Sequence, residues 1–548
     1  MIFSINRMPI LWTGLWLAVL AGALFSRPLM PIDETRYLSV AWEMWTKGDF
    51  LVPHLNGEIY SHKPPMLFWL INLGWGIFGV NEWWPRLIAP IFGLASLFLC
   101  ERLARELWPG SSSSWISSMA PMLLFGGLFW TVFTTLTMFD TILTAFSLVG
   151  LIGVVRAWSK RNCLGFILIG VGIGFGLLTK GPAILLHILP VALLAPIWGT
   201  HLSGNPTSLG LTQWYLGILA AVIIGSIVGL AWAIPASLVG GEDYRDAIFW
   251  GQSAGRIVSS FAHSRSWWWY LAVLPVFLLP WVLWPTAWRA IWKTSRVSFF
   301  KDGGVLFCLS WFTPALIAFS IISGKQFHYL LPELPSLSLV LAKLLSVEKL
   351  EKQVSPLDLV LPGLLALVTS VALFLLPILP LPQQPQSWWN LIVPGWGLLL
   401  ALAGIVLMAT SRLSLAARVN FLAAMSTVFV ISIHLAMRPV FFTVFDLKPL
   451  SIKLAQWQRE GVPLAHFSKY HGQYNFLGRL TKPIIQVGMF SPDTKVFVEN
   501  FPNGKIIAYH DNLNKPILPS ITYRFRTRLI AIWDASEVAQ YPGITERK

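Results

Sequence analysis

Charge is what this sequence has least of. Asp, Glu, Lys and Arg together make up 12% of its 548 residues, against about 25% in an ordinary soluble chain. Water-facing surfaces cannot be covered at that density, so a chain built wholly of soluble domains is excluded and lipid becomes the expected solvent. Cysteine is nearly missing too. Cys100, Cys163 and Cys308 lie far apart, within or beside apolar runs, which excludes a disulfide framework and a cysteine-based zinc cluster. The sequence also lacks a glycine loop to cradle nucleotide phosphates, a serine-hydrolase elbow and a helical zinc-protease motif. Internal repeats and low-complexity tracts are absent as well.

What is present is apolar. Hydrophobic residues make up 55% of the chain, with 29 Trp and 37 Pro. Indole favours the membrane interface, and proline is tolerated where neighbouring helices or cavities satisfy the freed carbonyls. Apolar runs long enough to span fall at 9–26, 85–103, 114–133, 137–156, 163–179, 181–198 and 213–238. More follow at 269–290, 303–323, 326–345, 356–377, 386–409 and 417–437. The spacing predicts a polytopic α-helical membrane protein with about thirteen spans. Met8–Phe25 resembles a signal peptide but lacks a small-residue cleavage site, since Ser26-Arg27-Pro28-Leu29 follows, so it is read as a retained first span.

The run 66–80 is marginal for crossing, and charge bias decides its place. With the N-terminus cytoplasmic and 66–80 lying at the outer interface, nearly every basic cluster falls on one side. These clusters include Arg102 with Arg105, Arg156 with Lys160, Arg289 with Lys293, and Arg412 with Arg418. The formal charge of +15 therefore reports topology in a cell inner membrane, and nucleic acid is not an expected partner. Loop 27–84, Asp140, Lys180, loop 239–268, Lys325 with His328, and the C-terminal tail all face outward on this reading.

Those outward segments hold the residues that suit chemistry. Asp33-Glu34 opens a short amphipathic helix that Gly48 stops; either acid serves as an N-cap, or as the base that takes a proton from an acceptor. Asp140 sits between two apolar runs, where a carboxylate drawn into the bundle is usually paired or functional. Lys63, Lys180, Lys325, Arg245 and Arg256 either snorkel or compensate a lipid-borne phosphate where its headgroup meets the membrane. Tyr37, Tyr60, His62, His263 and His328 are candidate sugar or acceptor contacts. No compact metal-ligand spacing occurs, and a divalent metal stays open.

From about 450 the composition turns polar, and Ile484–Phe490, Lys495–Glu499, Lys505–His510 and Tyr523–Ile532 read as strands. The expected division is a membrane domain over 1–445, with 27–84 as its first outer loop, and a small outward α/β domain over 446–548.

The block Asp33-Glu34-Thr35-Arg36-Tyr37, with Gly48-Asp49-Phe50 and Pro53-His54-Leu55-Asn56-Gly57, resembles the opening of the bacterial aminoarabinose (lipid A) transferase family. That family is related to the protein O-mannosyltransferases. Lys63-Pro64-Pro65, Phe78-Gly79-Val80-Asn81-Glu82-Trp83, Leu178-Thr179-Lys180-Gly181-Pro182 and Ser323-Gly324-Lys325 continue the likeness in order. The resemblance implies a GT-C glycosyltransferase fold, a polyprenyl-phosphate sugar as donor, and inversion at the anomeric carbon. It also implies that Asp33 is the essential first-loop acid, Asp140 the second acid, and Lys63 the lysine near the donor phosphate. Where the family has Glu before Lys-Pro-Pro, this chain has His62, which speaks against carrying over a contact made by that Glu.

The expected function is an inverting glycosyl transfer from a polyprenyl-phosphate carrier to a lipid or other cell-envelope acceptor at the outer membrane face. Such a donor arrives activated, so no nucleotide or redox cofactor is required. The alternatives are a lipid-linked sugar flippase or polysaccharide transporter, a non-enzymatic scaffold, and a protein O-glycosyltransferase.

Overall fold

The computed structural model describes residues 8–110, 113–160, 162–202, 210–251, 264–347, 354–379, 388–410, 413–488, 492–541 and 543–546. Arg256 and His263 lie outside them. Among the described residues, eight helices are long and apolar enough to cross a membrane, or nine when one pair bent by 42° counts as a single span. They include α1 (Met8–Ser26), α4 (Trp83–Leu107), α7 (Phe139–Lys160), α8 (Cys163–Lys180) and α11 (Leu211–Asp246). The bent pair is α9 (Ala183–Leu193) with α10 (Ala195–Trp198). The expected span 114–133 is broken into α5 (Ser113–Phe125) and α6 (Leu128–Phe133). The fold is that of a multi-pass membrane protein.

Small residues let α7, α8 and α11 approach closely, as they do wherever lipid supplies no hydrophobic drive between helices. A Cβ on Gly172 of α8 would lie 2.7 Å from the Phe146 carbonyl of α7. On the other flank of α8, a Cβ on Gly174 would lie 2.6 Å from Val228 of α11. Alternating glycines at 170, 172, 174 and 176 thus make α8 the central stave, and its far end presents Lys180.

The segment between α1 and α4 folds into α2 (Asp33–Lys47), a two-stranded ribbon of β1 (His54–Leu55) and β2 (Glu58–Ile59), and α3 (Met66–Phe78). Gly48 ends α2 in the left-handed region, at φ 68°. At 13 residues, α3 is about 20 Å long, short of the roughly 30 Å hydrocarbon core. It buries Phe68, Ile71 and Trp75 against protein and leaves Leu73 and Ile77 exposed.

The C-terminal region forms a five-stranded mixed sheet of β3 (Leu464–Phe467), β4 (Ile485–Val487), β5 (Lys505–His510), β6 (Ile521–Phe525) and β7 (Arg528–Asp534), ordered β4-β3-β5-β7-β6. Period-2 alternation assigns its faces. Ile506, Ala508, Ala531 and Trp533 fill one core with Phe497. Ile507, Ile530 and Ile532 fill the other, which is continuous with Leu38 and Ile71 of that segment.

Two strand expectations are corrected. Lys495–Glu499 lies inside the helix Pro492–Asn500. Pro in the first helical position and Asp493 in the first turn favour a helix start there, and Phe497 is its buried anchor. Tyr523–Ile532 is a hairpin, β6 and β7, turning at Arg526 with φ 55°. The sequence reading had no counterpart for β3, which at four residues is too short to show a period.

Candidate functional site

Two helix ends meet at the centre of the site. Asp140 is in the first turn of α7, where the N-terminal dipole favours an anion, and Lys180 closes α8, where it favours a cation. Lys180 Nζ lies 2.5 Å from Asp140 Oδ1 and 4.5 Å from the centroid of the Tyr329 ring. His328 Nε2 is 3.9 Å from the second oxygen, Asp140 Oδ2. Lys63 Nζ sits 5.5 Å from the Phe139 ring centroid, close enough to act on the Asp140 charge. Four polar residues spread from 63 to 328 thus converge.

Asp33 belongs to the segment between α1 and α4. The sequence reading placed it at or near the N-cap of its helix. In the structure Ile32 holds the cap with no side-chain bond, and Asp33 is the first helical residue. Its carboxylate is ion-paired with Arg36, one turn on, and stays 51% exposed. Tyr37, also one turn along, packs edge-on against Phe139 with centroids 5.0 Å apart, so α2 is docked beside the start of α7. Asp33 also acts electrostatically on His328. The two acids therefore flank one cluster.

A cavity of about 650 Å³ opens beside it. His62, Lys63 and Lys180 line it together with Leu177, Leu186, Leu230, Ala233 and Ile322. It is a largely apolar chamber with cations in its wall, a combination that suits an anionic headgroup on an apolar tail. Tyr60 is buried beside it, its ring 5.2 Å from that of His62. Among the described residues, no group of three or more His, Cys, Asp or Glu is gathered to hold a metal.

Three sequence candidates are placed elsewhere. Glu34 is buried, with Oε2 2.5 Å from Arg27 and further bonds accepted at 2.7 Å from the backbone N–H groups of Met30 and Thr137. Burial alone would raise its carboxyl, but Arg27 and Arg86 hold it below its ordinary value. It is a strut tying the segment after α1 to the segment before α7. Arg245 is exposed, faces Glu242 at 3.4 Å and Asp246 at 3.7 Å, and is not among the residues lining the cavity. Lys325 donates to the carbonyls of Ile322 at 2.6 Å and Arg265 at 3.0 Å. Its buried ammonium stitches a turn and is not among the residues lining the cavity.

The sequence reading missed a further pair. His187, in α9, and Glu333, at the end of the 3₁₀ segment Phe327–Glu333, lie 2.5 Å apart with side chains 1% and 0% exposed. An ionisable residue inside the apolar run Leu185-Leu186-His187-Ile188 was the available signal.

Comparison with known proteins places these features in a wider group. Residues 62–232 match the family model described as dolichyl-phosphate-mannose-protein mannosyltransferase. The chain is 31% identical over 369 residues to the undecaprenyl phosphate-alpha-4-amino-4-deoxy-L-arabinose arabinosyl transferase 2 of Pseudomonas fluorescens, covering 66% of this chain and 64% of that one. It is 34% identical over 317 residues to the corresponding transferase of Pseudomonas aeruginosa, covering 56% and 54%. The likeness thus spans just under two thirds, or about half, of those relatives' length. In three dimensions the chain is similar to ArnT from Cupriavidus metallidurans bound to undecaprenyl phosphate, with TM-score 0.74 and 20% identity over 95% of this chain and 97% of that one. The archaeal oligosaccharyltransferase AglB from Archaeoglobus fulgidus matches with TM-score 0.50 and 12% identity over 90% and 69%.

Proposed function

From the premise that the chain is a GT-C-fold relative of the undecaprenyl-phosphate-aminoarabinose transferases, we propose that it transfers a sugar from a polyprenyl-phosphate carrier to a lipid or other cell-envelope acceptor. One observation supports this reading above the rest: an apolar cavity with Lys63 and Lys180 in its wall, and the Asp140 carboxylate paired with Lys180. The carrier's tail occupies the apolar part and its phosphate meets the lysines. Asp140 holds Lys180 in place, so that its ammonium is positioned to meet the charge of the departing phosphate. Asp33, half-exposed at the rim, takes the proton from the acceptor as it attacks the anomeric carbon. Attack on the face opposite the phosphate inverts that centre.

The topology proposed with it puts the N-terminus in the cytoplasm and the cavity and C-terminal domain outside, in a cell inner membrane. Along α7, Asp140 and Arg156 are separated by about 24 Å, and Arg156 joins Arg102 around Glu106 at that opposite end. The basic end is the cytoplasmic one by the positive-inside rule.

The test uses purified full-length protein with an undecaprenyl-phosphate-linked sugar and an extract of envelope lipids. Wild-type protein forms a sugar-bearing acceptor, and Asp33→Asn lowers the rate by about 10²–10⁴-fold with unchanged melting temperature. Carrier binding without any transfer would replace the enzyme with a transporter.

A further inference from the structure

The His187–Glu333 pair has a role that the transfer chemistry leaves unused. With His187 Nδ1 committed to Glu333 Oε1 at 2.5 Å, the imidazole keeps Nε2 and the carboxylate keeps Oε2. Both atoms are buried and have no hydrogen-bond partner among the described residues. Each such orphan is costly when left unmade, and a carboxylate inside a membrane bundle is costlier still. Apolar residues would fill these positions at less cost, as they do around them in Leu186, Ile188 and Phe319.

His187 lines the same cavity as Lys180, at the other side of the Gly181-Pro182 turn and one helical turn into α9, about 6 Å along its axis from Ala183. The cavity therefore has two polar stations in an apolar wall, one cationic and one the His187 imidazole, whose Nε2 accepts a hydrogen bond when Nδ1–H is given to Glu333. A phosphate satisfies the first. The second is complementary to a hydroxyl or amino group, which can donate a hydrogen bond to that nitrogen.

We propose that His187, oriented by Glu333, reads a hydroxyl or amino substituent on the carrier's sugar and so sets donor specificity. The inference rests on the transferase reading and deepens it. A site built to bond a polar group rejects analogues lacking that group strongly, because its own buried atoms are then left unpaired.

The experiment measures binding of bare undecaprenyl phosphate and of undecaprenyl-phosphate-linked sugars that differ by one hydroxyl or amino group. His187→Asn retains an amide nitrogen near Nδ1, and so the bond to Glu333, but removes the atom at Nε2. His187→Gln does the reverse. The expected result is that H187N weakens the preferred sugar-bearing carrier by about ten-fold or more, leaves bare undecaprenyl phosphate unchanged and flattens discrimination among sugars. H187Q keeps part of that discrimination. Equal weakening of bare and sugar-bearing carriers by both variants would overturn the proposal in favour of a structural pair, and so would unchanged binding in H187N. Failure of wild-type protein to bind any carrier would instead sink the transferase reading.

Discussion

Asp33 and Glu34 are neighbours in sequence with opposite fates. Asp33 stays half-exposed beside Arg36, whereas Glu34 is closed in by Arg27 and by the backbone N–H of Thr137. Removing one member of such a buried pair leaves the other charge uncompensated, so Glu34→Ala is expected to cost about 3–5 kcal/mol of stability. A thermal melt in detergent shows this loss, while D33N leaves the melt unchanged and removes activity. Arg27 lies only seven residues before Glu34, but the Thr137 N–H that completes its enclosure lies 103 residues away, so local sequence does not separate the two acids. Lys63, Asp140, Lys180 and His328, which the fold brings together, could be singled out for the opposite reason: a charge-bearing residue in a charge-poor segment stands out against its background. Arg245 and Lys325 stood out equally, yet their charges are absorbed locally, by two acids and by two carbonyls. Sequence shows that a cation is present; only geometry shows what already holds it.

At the scale of elements, the segment between α1 and α4 and the C-terminal sheet are fastened by a short set of polar contacts. Asn56 donates to the Ile484 carbonyl and accepts from the Ile484 N–H, both at 2.8 Å. Ser39 donates to Gly472 O at 2.6 Å and accepts from Phe476 N at 3.0 Å. Trp75 stacks on Phe476 at 5.1 Å. Asn56→Ala strands both Ile484 groups and is expected to cost about 1–3 kcal/mol. Hydrogen exchange should quicken first in β4 and at the β1–β2 ribbon, leaving α7 and α8 protected. The helices themselves were readable from apolar run length. Their breaks, such as that between α5 and α6, and the hydrogen-bonded seam to the C-terminal sheet were not, since both depend on partners distant in sequence.

The whole molecule couples its fold to pH through the C-terminal sheet. His466 and His510 are buried, and burial pushes both imidazoles down to about 4. The neutral form fits the bonding: Trp533 Nε1 donates to His510 Nε2 at 3.1 Å, which requires that nitrogen to be unprotonated. The unfolded chain, with histidines near 6.5, takes up protons first as pH falls. Stability is therefore full above about 6.5 and declines as pH drops toward 4, by about 1.4 kcal/mol per histidine per unit. Exchange rates of β5 and β7 in the full-length protein, measured between pH 7 and 5, report this slope. A flat profile would contradict it.

The Ser39–Gly472 contact closes a loop of 433 residues, and this separation orders events at the ribosome. At about 5–20 residues per second, α2 waits roughly 20–90 s after synthesis for the strand connections that brace it. Through that interval the helices can insert while the rim holding Asp33 lacks its outer buttress. Nascent chains are thus expected to gain the braced form of α2 only when translation is nearly finished, a built-in delay between insertion of the helices and completion of the segment that carries Asp33.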